Sequence, residues 1–213
     1  MPQFLLASPW PGLIVWSLLY ISDYTLTLKC ARLYQGGVNE KMIFEGSYEI
    51  TPYFQRDIDT LRSFSPRFMA MLVIMGALLT AQWWIANTLF EPRGYQFILG
   101  ILIGVQLAIH IRHFRNLFLF RAILAGNAVR GRIEYLRPAM LRGSSIELLA
   151  FCGLYLVLFA FTRSWFLLGG AFGCLSIALK HWRLFRVQQK NAPGAIASQL
   201  SHPSSQTVRS PIA

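Results

Sequence analysis

The sequence predicts an all-α polytopic membrane protein: a bundle of five transmembrane helices with two amphipathic helices at the cytoplasmic interface. Three observations lead there. Five apolar stretches run at about 10–28, 68–90, 95–111, 146–161 and 164–179. Only 14% of the 213 residues are charged while 54% are hydrophobic, against about 25% charged in a soluble domain. The basic residues also fall in alternate connections. A hydrocarbon core about 30 Å thick needs about 20 apolar helical residues, and only a helix satisfies its own backbone in such a segment.

The charge pattern assigns the sides. No Lys or Arg precedes residue 29; the connection 29–67 holds six, 112–145 seven, and the tail from Lys180 five. Arg93 and Arg163 stand alone in the other two connections. Eighteen basic residues thus lie on one side and two on the other. The positive-inside rule makes the richer side cytoplasmic, with the N-terminus outside and the C-terminus inside. The net charge of +11 follows topology and not one face of a soluble domain, so a nucleic-acid partner is not expected.

Along the chain, Trp10 and Pro11 mark the outer start of span one, and Lys29 with Arg32 its inner end. The missing basic n-region argues that this span is retained. Gly36-Gly37 and Gly46-Ser47 are turn signals. Thr51-Pro52 reads as an N-cap followed by Pro at the first helical position. Behind it, Phe54, Ile58 and Leu61 share one helical face while Arg56, Asp57, Asp59 and Arg62 face elsewhere, the pattern of an interfacial amphipathic helix. Ser65-Pro66 repeats the cap and opens span two. Glu91-Pro92-Arg93-Gly94 is a compact outer turn. After span three, 114–125 reads as a second interfacial helix. Ser144-Ser145-Ile146-Glu147 fits a capping box opening span four, and Thr162-Arg163-Ser164 a tight outer hairpin. Residues 1–186 form one transmembrane domain, and 187–213, rich in Ser, Pro, Gly and Gln, a disordered cytoplasmic tail.

The ionisable groups near the membrane are the candidate site. Asp23 is the one acid well within a span, where a carboxylate costs about 2.5–3.5 kcal/mol on insertion scales. Its alternatives are a functional group and a salt bridge between helices. His110 and His113, three apart, share a helix face. Glu147 and His181 stand at the same inner level. Asp23, His110, His113, Glu147 and His181 are therefore candidates for an ion or proton pathway, since His titrates near physiological pH. The plainer alternative has the histidines bonded to headgroups and Glu147 acting as a cap.

Arg112, Arg115 and Arg121, with Arg130, Arg132 and Arg137, form a basic skirt suited to anionic headgroups of the inner leaflet. Gly100, Gly104 and Ala108 make one small-residue stripe, and Gly169 with Gly173 another. Such stripes let helices approach closely, within the chain or between copies in a homo-oligomer. Cys30, Cys152 and Cys174 show no disulfide or zinc spacing and read as small core residues. No Gly-x-Ser-x-Gly elbow, His-Glu-x-x-His, P-loop or dinucleotide fingerprint is present. No catalytic residue, resident metal or cofactor is expected.

The segments Phe44–Tyr53, Phe64–Phe68, His110–Asn116 and Ser164–Gly170 resemble those of an uncharacterised family of bacterial multi-pass inner-membrane proteins of similar size, over about residues 10–185. The resemblance implies a bacterial inner membrane and carries no activity. The leading expectation is a small channel or carrier for an ion or proton-coupled solute, acting as a homo-oligomer. A structural protein organising lipids or partner subunits is the second, and a membrane-embedded metal or lipid enzyme the third.

Overall fold

The computed structural model describes residues 7–46, 52–89, 91–126 and 128–191. Six helices dominate: α1 (Trp10–Gln35), α2 (Pro52–Asp59), α3 (Pro66–Thr88), α4 (Pro92–Leu124), α5 (Arg137–Thr162) and α6 (Trp165–Asn191). A 3₁₀ turn (Val38–Glu40) and two three-residue strands, β1 (Met42–Phe44) and β2 (Ile133–Tyr135), complete the described elements.

Helices α3, α4 and α5 are long and apolar enough to cross a membrane. The expectation of five spans is met to that extent. Helices α1 and α6 match them in length, at 26 and 27 residues, but are more polar towards their C-terminal ends. Asp23 and Lys29 interrupt α1, and Lys180-His181-Trp182-Arg183 lies in the second half of α6.

Proline and side-chain caps set most of the boundaries. Ser65 accepts from the Phe68 amide at 3.2 Å and Pro66 follows at the first position of α3, so the predicted cap forms. Glu91 accepts from the Arg93 amide at 3.2 Å ahead of α4. Arg163 turns the chain between α5 and α6 with a φ of 53°. Thr51, the other expected cap, lies outside the described residues.

Three boundaries differ from the sequence reading. Residues 114–124 do not form a separate interfacial helix, because α4 runs unbroken for 33 residues, about 50 Å at 1.5 Å per residue. No Gly or Pro interrupts it after Gly104, and Leu117, Phe120 and Ile123 are buried against the C-terminal half of α1 and the first strand. Helix α5 starts at Arg137, with Pro138 in its first turn, so Ser144-Ser145-Ile146-Glu147 lies within the helix and caps nothing. Helix α6 continues through 187–191, where a disordered tail was expected to begin; the rest of the tail lies outside the described residues.

Helix α4 is the hub, packed on α1, α3 and α6, while α5 packs chiefly on α6. The α4–α6 contact is backbone to backbone. A Cβ at Gly100 would stand 1.9 Å from the Phe166 carbonyl oxygen, and one at Gly169 2.0 Å from that of Phe97. A Cβ at Gly104 would meet Gly170 Cα at 2.7 Å. Gly173 faces Ile101 and Val105 of α4. Ala108, 1% exposed, packs with Leu148, Ala171 and Cys174. Both small-residue stripes therefore meet each other inside one chain.

The two basic connections are tied together. Strands β1 and β2 pair in parallel, with Met42 opposite Ile133 and Phe44 opposite Tyr135. The Ile133 amide donates to the Lys41 carbonyl at 2.8 Å, and the Arg137 amide to Glu45 Oε2 at 2.8 Å. The connections richest in Lys and Arg thus share one end of the bundle, as the charge pattern requires. Helix α2 closes that end, its Ile58 buried with Tyr24, Leu28 and Phe68. Asp57, expected to face outward, is 3% exposed. It accepts from Ser65 Oγ at 2.5 Å, which fixes α2 against the start of α3.

Candidate functional site

At the basic end, all six helices and the strand pair line a cup of about 670 Å³, α3 through Phe68 alone. That is within the range of about 300–1,000 Å³ usual for small-molecule sites. Helix α4 supplies a stripe at helical spacing: Gln106, Ile109, Arg112, His113, Asn116, Leu119 and Phe120 all line the cup. Its polar members follow from the 3.6-residue period once α4 is known to continue past residue 111.

Four of the five predicted pathway residues, Asp23, His113, Glu147 and His181, line this one cavity. His110 does not. His110 and His113 do share a face, and both meet α1. His110 Nδ1 lies 2.7 Å from the Gln106 carbonyl, and its Nε2 is 2.5 Å from Ser22 Oγ. A carbonyl can only accept, so Nδ1 carries a proton.

Asp23 Oδ1 stands 2.8 Å from His113 Nε2, but without a hydrogen bond to it. Thr27 Oγ1 holds that nitrogen at 3.1 Å. The Thr27 hydroxyl donates its own proton to the Asp23 carbonyl at 2.9 Å, so His113 Nε2 is the donor towards Thr27 and Nδ1 is bare in the neutral ring. His113 Nδ1, Gln106 Oε1 and Tyr20 Oη are buried without hydrogen-bond partners among the described residues. All three residues line the cup. Buried polar groups left unpaired cost about 1–3 kcal/mol each, so three of them around one cavity are unusual.

Glu147 holds two arginines instead of a helix end. It accepts from Arg112 Nε at 2.9 Å and from Arg115 Nη1 at 3.1 Å, joining α4 to α5. Arg112, expected in a lipid-facing skirt, has a side chain only 17% exposed and turned into the cup. Arg115 is 60% exposed at the rim, and Arg121 stays on the surface.

His181 Nδ1 pairs with Ser144 Oγ at 2.9 Å. Burial pushes the His181 pKa down to about 4, and the charges of Arg112 and Lys180 push the same way. It is therefore a neutral imidazole at neutral pH. Lys180 lines the cup with no carboxylate in ion-pair range among the described residues. Lys180, read with His181 at one level, and Gln106, read as an amide bonding across helices, were not among the pathway candidates, and Tyr20 carried no signal; only the position of the cup singles them out.

Among the described residues, no three His, Cys, Asp or Glu gather as a metal site would require. No protein-family model, characterised protein or solved structure matches this chain.

Proposed function

We propose that the chain crosses a bacterial inner membrane five times, N-terminus outside and C-terminus in the cytoplasm, and carries a small solute through the cup in exchange for protons. One observation carries this reading: a cavity of about 670 Å³ at the basic end whose wall brings Asp23 and His113 within 2.8 Å. A carboxylate beside an imidazole with one bare nitrogen is a pair able to take and release a proton, and the adjoining volume is sized for a solute. Ionisable groups kept inside membrane helices are functional by default.

Helices α3 and α5 fit a lipid-facing role in this arrangement. Val73, Ile74, Leu78, Trp84, Leu154 and Val157 are exposed, and in a bilayer such residues meet acyl chains. Anionic lipid surrounds Arg121 and the other surface arginines. The glycine stripes are used within the chain, so the proposal does not depend on a homo-oligomer.

The test is proton movement in proteoliposomes loaded with a pH-sensitive dye and challenged with gradients of inorganic cations, carboxylates and phosphate esters. At least one gradient is expected to drive proton movement well above empty vesicles, with Asp23→Asn lowering it at least fivefold. No movement above empty vesicles, or equal movement with Asp23→Asn, overturns the proposal.

A further inference from the structure

Arg112 is a largely buried guanidinium with most of its donors free. The side chain is 17% exposed, and Nε is engaged by Glu147 Oε2 at 2.9 Å. Among the described residues nothing accepts from its terminal nitrogens. Glu147 is itself held by Arg115 at 3.1 Å, so the anchor on Nε is fixed from both sides. A tethered guanidinium presents a planar fork, the geometry that takes a carboxylate or phosphate with two parallel hydrogen bonds.

The surroundings favour an anion there. Lys180 lines the same cavity with no acid in range among the described residues. Burial and then the charges of Arg112 and Lys180 hold the His181 pKa down to about 4, so the field here is already positive, and an anion would neutralise it. Much of the remaining wall is aromatic: Phe44, Phe54, Phe68, Phe120 and Tyr135 line it. A bare inorganic ion would leave most of about 670 Å³ unfilled against those rings. A metal cation would meet Arg112 and Lys180.

Taking the cup as the functional site, we infer that its ligand is an organic anion, a carboxylate or phosphate ester with an apolar body. The acid group sits on the Arg112 fork beside Lys180, and the apolar body lies on the aromatic wall.

Binding is measured by titration calorimetry on the full chain in neutral maltoside micelles, with octyl phosphate, octanoate, octanol and inorganic phosphate as probes. Octyl phosphate or octanoate is expected to bind one per chain, at least tenfold more tightly than octanol or inorganic phosphate. Arg112→Lys keeps the charge and loses the fork, and is expected to weaken binding at least fivefold. Lys180→Gln touches no ion pair, tests the same point without endangering the fold, and is expected to weaken binding at least threefold. Native mass spectrometry separates the sources. A phospholipid retained one per chain, displaced by octyl phosphate and lost in Lys180→Gln, identifies a lipid phosphate. Saturable probe binding to lipid-free chains identifies a free anion. Either result supports the inference. No saturable binding of either anionic probe, or affinities unchanged in both variants, overturns it. Because binding is read without a gradient, its failure strikes the ligand class and leaves carriage standing; intact binding without proton movement strikes carriage alone.

Discussion

Arg112 Nε donates to Glu147 Oε2 across 2.9 Å, an ion pair between α4 and α5 at the wall of the cup. Arg115 completes it from the following turn. The two side chains are 17% and 20% exposed, so removing the carboxylate leaves a guanidinium largely cut off from water. Glu147→Gln is expected to destabilise the fold by about 1–3 kcal/mol, read as a lower Tm in maltoside micelles. An unchanged Tm would mean that the pair ties nothing together.

Gly100 in α4 and Gly153 in α5 are opposites. A Cβ at Gly100 would stand 1.9 Å from a backbone oxygen, whereas one at Gly153 meets nothing within 4 Å. Gly100→Ala must push α4 and α6 apart, at a cost of about 1–3 kcal/mol. Gly153→Ala should be neutral or should stabilise by up to about 1 kcal/mol. Thermal unfolding of both variants checks this, and an equal effect at the two sites would deny the close contact.

His181 gives the fold a pH dependence of known sign. In the unfolded chain the imidazole protonates near its ordinary 6.5, in the fold only near 4. Between those values protons favour the unfolded chain. The contribution is full above pH 6.5, falls as the pH drops towards 4, and levels off below that. Histidine 181 is partly screened by solvent, so the effect is modest. The difference in Tm between wild type and His181→Asn is expected to change across this window and to be flat above pH 7; a flat difference throughout would show that His181 protonates as freely in the fold as outside it.

Met42 and Ile133 are register partners in the parallel strand pair. Paired strand positions suit a disulfide, whose Cα atoms stand about 4.4–6.8 Å apart. Met42→Cys with Ile133→Cys, in a background lacking Cys30, Cys152 and Cys174, should cross-link on mild oxidation and shift electrophoretic mobility. Failure to cross-link would separate the two basic connections.

The helices were legible in the sequence because membrane solvation writes itself as long apolar runs, and the Ser65-Pro66 cap because its chemistry is local. The shared end of the basic connections was legible from the placement of Lys and Arg. What escaped was set by tertiary contact. Leu117, Phe120 and Ile123 keep α4 helical beyond residue 113 by packing on α1, which no local signal in 114–124 announces. Pro138 starts α5 early and converts Ser144 from a cap into a partner of His181 Nδ1 at 2.9 Å. At the site, the residues at the inner level were identified by depth alone. Their partners, Thr27 for His113 and Arg112 for Glu147, depend on helix rotation, which the sequence encodes only through the completed fold.

Substituted-cysteine labelling of intact cells with a membrane-impermeant maleimide addresses the arrangement on which all of this stands. Arg93→Cys and Arg163→Cys are predicted to label from outside, and Glu40→Cys and Arg130→Cys only after permeabilisation. Labelling of Glu40→Cys and Arg130→Cys from opposite sides would contradict the account, because the cup would no longer exist as one place.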